Sequence, residues 1–279
     1  MKILFTGCSS YIGKYLIKEF LKTSNTIYGL SRKNPGIKNK KFKWFKHDLS
    51  NKPFKNVKKI DIIIHIAGAA LRKENKYDDY LKGNIFMAHN LGLTARYCST
   101  KIIFYTSTRE IYGDISSNIL SENNDIINPI FYGQTKFIAE QILSSNCKTI
   151  SLRLPAVLGK GTHGWISGVL KGMIEGKKIN FINSKFNNFI HVSDLYNIIS
   201  SFIKKKLFFT DQFNVSCSNI STSKKVLSIM KKNLNSKSKL NELKKNEKTY
   251  TISNKKLSKY CKTMTVENSI KMFLTEESK

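Results

Sequence analysis

Short apolar runs alternate with longer amphipathic segments through the first half of the chain. Apolar positions at helical spacing predict helices at Tyr11–Lys22, Tyr77–Cys98 and Phe131–Leu143. Runs rich in β-branched and aromatic residues predict strands at Lys2–Thr6, Thr26–Leu30, Phe42–Lys46, Ile60–His65, Ile102–Thr106 and Thr149–Arg153. This alternation is typical of βαβ units, so it predicts an α/β fold with a doubly wound parallel sheet.

The pattern becomes irregular after Gly159, where glycines recur at positions 161, 164, 168, 172 and 176. Such a change predicts a domain boundary. We expect a first domain over residues 1–158, to which some later segments return, and a smaller substrate-binding lobe over residues 159–279. The Lys-, Asn- and Ser-rich residues 231–248 predict a solvated helix surface or a mobile loop.

Composition adds a strong positive charge to this picture. The 279 residues carry a net charge of +29, a balance found in nucleic-acid-binding proteins. Only five of the 48 basic residues are arginine, the side chain preferred for phosphates and bases, and the lysines are spread along the whole chain. We therefore expect solvated surface lysines and no specific nucleic-acid binding. Attraction to an anionic substrate or a membrane surface is the alternative.

Cysteine usage and hydropathy set the expected compartment. The five cysteines are scattered and lack any CxxC spacing, which predicts reduced thiols and no metal site. No apolar run approaches the ~20 residues needed to cross a bilayer, so we expect no transmembrane segment. The apolar stretch Ile3–Phe5 is too short for a signal-peptide core, and we expect a cytoplasmic protein.

The segment TGCSSYIG follows the first predicted strand and opens the first predicted helix. A tight turn at this place can present backbone N–H groups and a helix N-terminus to a pyrophosphate. The middle glycine of the usual three is replaced by serine, so a purely structural turn is the alternative. The candidate cofactor contacts in this segment are Gly7, Ser10, Tyr11, Ile12 and Gly13.

The end of the second strand indicates which cofactor is preferred. An acidic residue there binds the ribose 2′-OH of NAD, whereas an arginine accommodates the 2′-phosphate of NADP. Here the segment reads Ser31-Arg32-Lys33, with no acidic residue. Because arginine is scarce in this chain, Arg32 predicts NADP(H) as the preferred cofactor, with NAD(H) as the alternative.

Two tyrosine–lysine pairs with YxxxK spacing occur, and this spacing places both side chains on one face of a helix. Tyr97/Lys101 straddles a predicted helix end, whereas Tyr132/Lys136 lies early in one helix. The second pair suits carbonyl reduction, because an ammonium beside a phenol favours the phenolate and lowers the phenol pKa. A hydroxyl from Thr108, or from Ser107 as the fallback, would complete the site.

The order of several segments resembles the extended short-chain dehydrogenases, the NAD-dependent epimerase/dehydratase family of sugar-nucleotide enzymes with a Rossmann fold. The matching segments are TGCSSYIG, HDLS, DIIIHIAGAA, YTSTREIYGD, YGQTK, SLRLPAVLG and NFIHVSDL. The resemblance implies Thr108, Tyr132 and Lys136 as catalytic residues. It further implies Asp48 and Leu49 near the adenine, Ala67 and Ala69 along the cofactor, Pro155 near the nicotinamide, and Asn84 in a structural or relay role that could include the substrate.

Departures from the family pattern narrow the expected activity. Related dehydratases carry an Asp-Glu pair after the catalytic threonine, and here the pair is Arg109-Glu110, so dehydration is not expected. The arginine that binds a nucleotide diphosphate in the family is replaced by Asn187, with Lys185 or Lys160 as substitutes. Packing or capping roles are expected for His65 and His191, while Arg109 and His163 are candidate substrate contacts.

These observations lead to one expected function and two alternatives. We expect NADPH-dependent reduction of a keto group on a free or nucleotide-linked sugar for surface polysaccharide synthesis. The first alternative is an NAD-dependent sugar-nucleotide 4-epimerase, which would use the same Tyr132 and Lys136 and return its hydride. The second is a non-catalytic NADP-binding regulatory or RNA-binding protein. A homodimer is compatible with each.

Overall fold

The computed structural model describes residues 1–244 and 249–277. The strands are β1 (Lys2–Thr6), β2 (Thr26–Ser31), β3 (Phe42–Lys46), β4 (Ile62–His65), β5 (Ile102–Thr108), β6 (Ile119–Leu120), β7 (Thr149–Leu154), β8 (Ala156–Leu158), β9 (Ile179–Phe181), β10 (Lys185–Phe186), β11 (Phe189–His191), β12 (Asp211–Asn214), β13 (Ser221–Thr222), β14 (Leu240–Glu242) and β15 (Thr251–Ile252).

Helices connect or follow these strands, and the hydrophobic spacing predicts those before Thr149 but not those after it. They are α1 (Tyr11–Leu21), α2 (Tyr77–Tyr80), α3 (Met87–Tyr97), α4 (Phe131–Asn146), α5 (Trp165–Ile174), α6 (Val192–Lys204), α7 (Ser223–Asn233), α8 (Lys255–Ser258) and α9 (Val266–Glu277). A 3₁₀ turn, Arg109–Tyr112, follows β5 directly.

A seven-stranded sheet in the order β12-β7-β5-β4-β1-β2-β3 confirms the predicted α/β fold. The neighbouring pairs from β3 to β7 are parallel, and the strand order reverses on either side of β1. This is the doubly wound Rossmann arrangement, whose ligands bind outside the carboxyl ends of the strands. Strand β4 is buried along its whole length, as expected for a central parallel strand.

The predicted helix Tyr77–Cys98 is interrupted in the structure. Between α2 and α3 the backbone forms a π-helical segment, Leu81–Phe86. Within it the buried Asn84 accepts a hydrogen bond from the Ala69 N–H at 3.0 Å and donates one to the Thr135 hydroxyl at 3.0 Å. The wider turn therefore coincides with the point where a helix side chain bonds to two other segments, which hydrophobic periodicity does not reveal.

The chain divides into two compact units. Unit 1 comprises Met1–Asp114, Glu122–Leu154 and Ile199–Phe213, and unit 2 comprises Ile115–Ser121, Pro155–Ile198 and Asn214–Lys279. The division after Leu154 lies four residues before the predicted boundary. Residues 115–121 join unit 2 because β6 pairs with β15, a contact that the chain order alone does not predict.

Each unit has its own apolar core. In unit 1 the sheet residues Leu4, Ile63 and Ile103 pack with helix residues such as Leu91 and Leu143. The core of unit 2 is formed by side chains of α5, α7, α9 and the short strands, among them Val169, Leu227, Phe273 and Phe181.

The predicted solvated stretch 231–248 contains the end of α7 and strand β14, and its residues 245–248 lie outside the described residues. In the part of the chain that the structure describes, no helix combines the length and apolarity needed to cross a membrane. No group of three or more His, Cys, Asp or Glu side chains suited to a metal ion occurs within residues 1–244 and 249–277.

Candidate active site

The turn after β1 is shaped by its glycines and by Ser10. Gly7 has φ +69°, and a Cβ there would lie 2.7 Å from the Ala67 backbone nitrogen, so a larger residue is excluded. A Cβ on Gly13 would collide with the Gly7 carbonyl oxygen. The Ser10 hydroxyl accepts a hydrogen bond from the Gly13 N–H at 3.0 Å and donates one to the Gly7 carbonyl at 2.8 Å. The serine in place of the middle glycine is thus the N-cap of α1.

Tyr11 and Ile12 form the first turn of α1, directly after this cap. The turn lies at the carboxyl end of β1, and the Gly7 N–H donates to the Leu30 carbonyl of β2 at 3.0 Å. A helix N-terminus beside a tight glycine turn is suited to an anionic group such as a pyrophosphate.

Arg32 follows β2 immediately and is exposed. Burial raises the pKa of Asp48, but the hydrogen bonds that its carboxylate accepts from the Ser50 hydroxyl and N–H, with a smaller contribution from the Arg32 charge, hold that pKa below its ordinary value. The guanidinium therefore lies near the loop that follows β3. Leu49 in that loop is buried, and its carbonyl accepts a hydrogen bond from Asn90 at 2.7 Å.

The loop after β4 is held by the side chains of Thr6 in β1 and Asn84 in the π-helical segment. The Thr6 hydroxyl accepts hydrogen bonds from the N–H groups of Ile66 and Ala67, each at 3.2 Å, and contacts the Nδ1 atom of His65 at 2.6 Å. Asn84 fixes Ala69 as described above. Both polar groups of the Asn84 side chain are engaged within the protein, so the structure favours the structural role over substrate contact.

Tyr132 and Thr108 are brought together at the carboxyl end of β5. Thr108 is the last residue of β5, its hydroxyl caps the following 3₁₀ turn, and it forms a side-chain hydrogen bond with Tyr132. Helix α4 approaches this turn closely because residue 133 is glycine, where a Cβ would collide with the Glu110 carbonyl oxygen. The fallback hydroxyl, that of Ser107, is buried and has no hydrogen-bond partner within residues 1–244 and 249–277.

Lys136 lies one helical turn after Tyr132, and its side chain is buried. Its Nζ atom donates a hydrogen bond to the Thr106 carbonyl at 2.7 Å and lies 4.2 Å from the centre of the Tyr105 ring. The other pair is not assembled in this way. Tyr97 ends α3 with 44% of its surface exposed, and Lys101 forms an ion pair with Asp61 at 3.5 Å.

Burial dominates the electrostatics of this pair. It raises the pKa of Tyr132 to about 12, although the Thr108 hydrogen bond acts in the opposite direction. It lowers the pKa of Lys136 to about 7, although the Glu140 carboxylate raises it. The predicted lowering of the tyrosine pKa is therefore wrong for the chain by itself, because desolvation of the phenol outweighs the Thr108 hydrogen bond.

A buried ion pair, which the sequence did not predict, lies next to this site. Arg153 in β7 donates to both carboxylate oxygens of Glu140 in α4, at 3.2 and 2.9 Å, and to the Tyr112 hydroxyl at 2.8 Å. Two signals pointed to it: the scarcity of arginine, and the position of Glu140 four residues after Lys136. Neither showed that β7 and α4 would face each other.

Arg109 and Glu110 form an ion pair with a separation of 2.8 Å, and both side chains are about one-third exposed. Glu110 also raises the pKa of Tyr132 through its charge.

The two buried histidines pack as expected. His65 stacks on Tyr105 with ring centres 5.2 Å apart, and burial, assisted by the Lys136 charge, lowers its pKa to about 3. His191 bonds to the Ser193 hydroxyl at 2.8 Å and lies 3.2 Å from a carboxylate oxygen of Glu276.

Unit 2 contains a cavity of about 530 Å³ with an aromatic lining. Aromatic rings and neutral polar groups contribute most of its wall, and His163 is among them. The lining includes Trp165, Phe181, Phe186, Phe189, Asn180, Asn188, Thr162 and Ser223. Spacing in the sequence gave no signal for this set, since its members come from well-separated parts of residues 162–223.

The Asn187 side chain is buried and hydrogen-bonded within the protein. It donates to the Ile252 carbonyl at 2.8 Å and accepts from the Ile252 N–H at 2.8 Å, so it ties the segment before β11 to β15. Lys185 in β10 and Lys160 are both exposed, and Lys185 precedes the cavity residue Phe186. Pro155, directly after β7, is buried.

Comparison with known proteins gives a consistent result. The profile of the NAD dependent epimerase/dehydratase family matches residues 3–216. Protein CapI of Staphylococcus aureus is 25% identical over 236 residues, 74% of this chain and 70% of the relative. CDP-abequose synthase of Salmonella muenchen is 25% identical over 254 residues, 86% and 83% of the two chains.

Solved structures share the fold. UDP-glucuronic acid 4-epimerase from Bacillus cereus, determined in complex with NAD, superimposes with a TM-score of 0.83 at 20% identity and covers 97% of this chain and 94% of its own.

The neutral His65 predicts acid-sensitive stability. Because burial lowers its pKa in the folded chain, the unfolded state takes up the proton first as the pH falls, and stability is lost between about pH 6.5 and 3. We expect His65 to account for about 2 kcal/mol of the unfolding free energy lost between pH 7 and pH 5. Denaturant unfolding at both pH values should show this difference between wild type and His65→Asn.

The matched control is His89→Gln, which alters an exposed histidine on α3 and should keep the wild-type pH dependence. An unchanged pH dependence in His65→Asn would contradict the buried, uncharged state of His65.

Proposed function

Because this chain belongs to the NAD dependent epimerase/dehydratase family, we propose that it transfers hydride between a nicotinamide cofactor and a carbon of a nucleotide-linked sugar. The observation that carries the proposal is the contact of Thr108 with Tyr132 at the end of β5, with Lys136 one turn further along α4. A hydroxyl, a phenol and an amine in this arrangement can bind a sugar oxygen and move its proton.

The roles of the three side chains follow from their surroundings. Thr108 would donate a hydrogen bond to the reacting oxygen, and Tyr132 would give or take its proton. Because the pKa of Tyr132 is about 12, it holds its proton at neutral pH and is ready to act as the acid of a reduction. Lys136, when protonated, favours the phenolate after that transfer.

The residues of unit 1 fit a nicotinamide dinucleotide. Gly7 leaves room for a close approach to the turn, the N-terminus of α1 suits the pyrophosphate, and Arg32 lies where the adenosine ribose contact belongs. Asp48, Leu49, Ala67 and Ala69 are the further proposed contacts in unit 1. The bound cofactor would supply or accept the hydride.

Net reduction of a keto group with NADP(H) is the activity that we propose first, because Arg32 stands at the end of β2 without an acidic neighbour. Epimerisation with NAD(H) is the second candidate. It is favoured by the structural similarity to the UDP-glucuronic acid 4-epimerase from Bacillus cereus, which was determined in complex with NAD. Dehydration is disfavoured because Arg109 neutralises Glu110. A non-catalytic role is disfavoured by the assembled Thr108, Tyr132 and Lys136.

The cavity of unit 2 is the proposed site for the nucleotide base. Its wall contains Trp165, Phe186 and Phe189, whose rings pack edge to face with centres 6.0 and 5.6 Å apart. Aromatic faces and neutral amides suit a planar base rather than a phosphate. With Asn187 engaged internally, Lys185 is the proposed partner of the diphosphate.

Replacement of Tyr132 tests the acid role. We expect Tyr132→Phe to fold and bind cofactor normally but to lower kcat by roughly 10²- to 10⁴-fold, the usual contribution of a positioned acid or base. Steady-state assays with 4-keto nucleotide sugars plus NADPH, and with UDP-glucose plus NAD, measure it. Tyr97→Phe is the control and should retain full activity. A near-normal kcat in Tyr132→Phe would refute the assignment.

Cofactor titration decides between reduction and epimerisation. A charge-assisted contact of Arg32 with the 2′-phosphate is worth roughly 1.5 to 3 kcal/mol, so NADPH should bind about 10- to 150-fold tighter than NADH. Arg32→Asp should reverse the preference, because the carboxylate repels the phosphate and accepts from the ribose 2′-OH.

Arg96→Asp makes the same charge change at an exposed position on α3 and should leave the preference unchanged. If the wild type binds NADH more tightly, or retains NAD through purification, epimerisation replaces reduction as the proposed activity.

The base site is tested at Trp165, which lines the cavity and is 49% exposed. Base stacking on an aromatic ring contributes about 1 to 3 kcal/mol, so Trp165→Ala should weaken UDP binding by roughly 5- to 150-fold in calorimetric titrations. Ile174→Ala, at the exposed end of the same helix, is the control. Equal affinities in the two variants would place the base elsewhere.

A further inference from the structure

The ion pair between Arg153 and Glu140 is buried to an unusual degree for charged side chains. Arg153 is 5% exposed and Glu140 is 4% exposed, and the guanidinium binds both carboxylate oxygens. The same guanidinium lies 5.0 Å from the centre of the Tyr112 ring and donates to its hydroxyl. Such a pair stabilises little compared with apolar residues of the same shape, so stability alone does not account for it.

The pair joins three segments around the proposed catalytic residues. Glu140 belongs to α4, which carries Tyr132 and Lys136. Tyr112 ends the 3₁₀ turn that begins directly after Thr108, and Arg153 belongs to β7, the neighbour of β5. One guanidinium therefore holds the helix with the tyrosine against the turn that follows the threonine.

Glu140 is also an electrostatic neighbour of Lys136. Four residues separate them, so both side chains project from the same face of α4. Burial lowers the pKa of Lys136 to about 7, and the Glu140 carboxylate raises it. The other titratable groups facing Lys136 are the neutral His65 from β4 and Tyr105 from β5. Glu140 thus supplies the negative charge that favours protonated Lys136, while Arg153 partly neutralises that charge.

We propose that Glu140 and Arg153 are positioning residues that set the protonation of Lys136 and hold α4 at the end of β5. The inference rests on the proposed function, because Lys136 matters through its effect on Tyr132. Neither residue touches the reacting atoms. If the pair were only a structural clamp, its removal would lower stability and leave the titration of Lys136 unchanged.

Variants that remove opposite charges should shift the pKa of Lys136 in opposite directions. In Glu140→Gln the carboxylate is lost, so Lys136 should lose its proton about one pH unit lower than in wild type. In Arg153→Met the carboxylate is no longer neutralised, and Lys136 should lose its proton at higher pH. The titration is read from the ¹³Cε resonance of Lys136, assigned by its loss in Lys136→Arg, and requires no substrate. The pH dependence of kcat should move with it.

Breaking a buried pair costs about 3 to 5 kcal/mol, so a single variant could fail to fold. The double variant Glu140→Gln/Arg153→Met removes both charges together and should fold, with Lys136 titrating below wild type. Glu19→Gln, which removes an exposed ion pair on α1, is the control and should titrate as wild type.

The outcomes separate this inference from the proposed function. A Lys136 pKa below the wild-type value in the folded double variant supports the inference. An unchanged Lys136 pKa in every folded variant overturns it. If the pKa of Lys136 shifts as expected but no nucleotide sugar is turned over, the proposed function fails. The inference that the ion pair sets the protonation of Lys136 then still holds.

Discussion

Parallel pairing of the strands from β3 to β7 is the constraint on which the rest of unit 1 depends. In a parallel sheet all strands end at the same edge, and each connecting segment must leave from that edge. The glycine turn leaves from β1, Arg32 from β2, the Ala67 loop from β4 and Thr108 from β5. The sheet therefore brings residues that lie more than a hundred positions apart in the sequence to the same edge.

Bringing these side chains together removes them from water, and hydrogen bonds within the protein compensate for part of the lost solvation. The Nζ atom of Lys136 donates a hydrogen bond to the Thr106 carbonyl. The Thr6 hydroxyl contacts the Nδ1 atom of His65 and accepts hydrogen bonds from two backbone N–H groups. These hydrogen bonds limit the penalty of burying Lys136 and His65, whereas the buried Ser107 hydroxyl has no partner among the described residues. The same burial favours the uncharged forms of both side chains, since it lowers the pKa of Lys136 to about 7 and raises the pKa of Tyr132 to about 12.

The sequence was informative wherever a property repeats along the chain. Alternating apolar runs predicted the strands of the sheet up to Thr149–Leu154, and the early position of Tyr132 and Lys136 in one helix separated them from Tyr97 and Lys101. It was uninformative where two distant segments meet. The π-helical turn at Asn84 and the ion pair of Arg153 with Glu140 both depend on tertiary contacts, which local spacing does not encode. The pKa of Tyr132 was misjudged for the same reason, because burial is a property of the fold.

Arginine usage connects these observations. A chain that uses lysine for nearly all of its positive charge has little need of arginine on its surface, because a solvated ammonium serves equally well there. Arginine differs where two parallel hydrogen bonds to one planar anion are required. Arg153 binds both oxygens of Glu140, Arg109 pairs with Glu110, and Arg32 stands at the end of β2. The planar guanidinium, whose two parallel hydrogen bonds lysine cannot reproduce, is thus a physical reason for arginine at position 153.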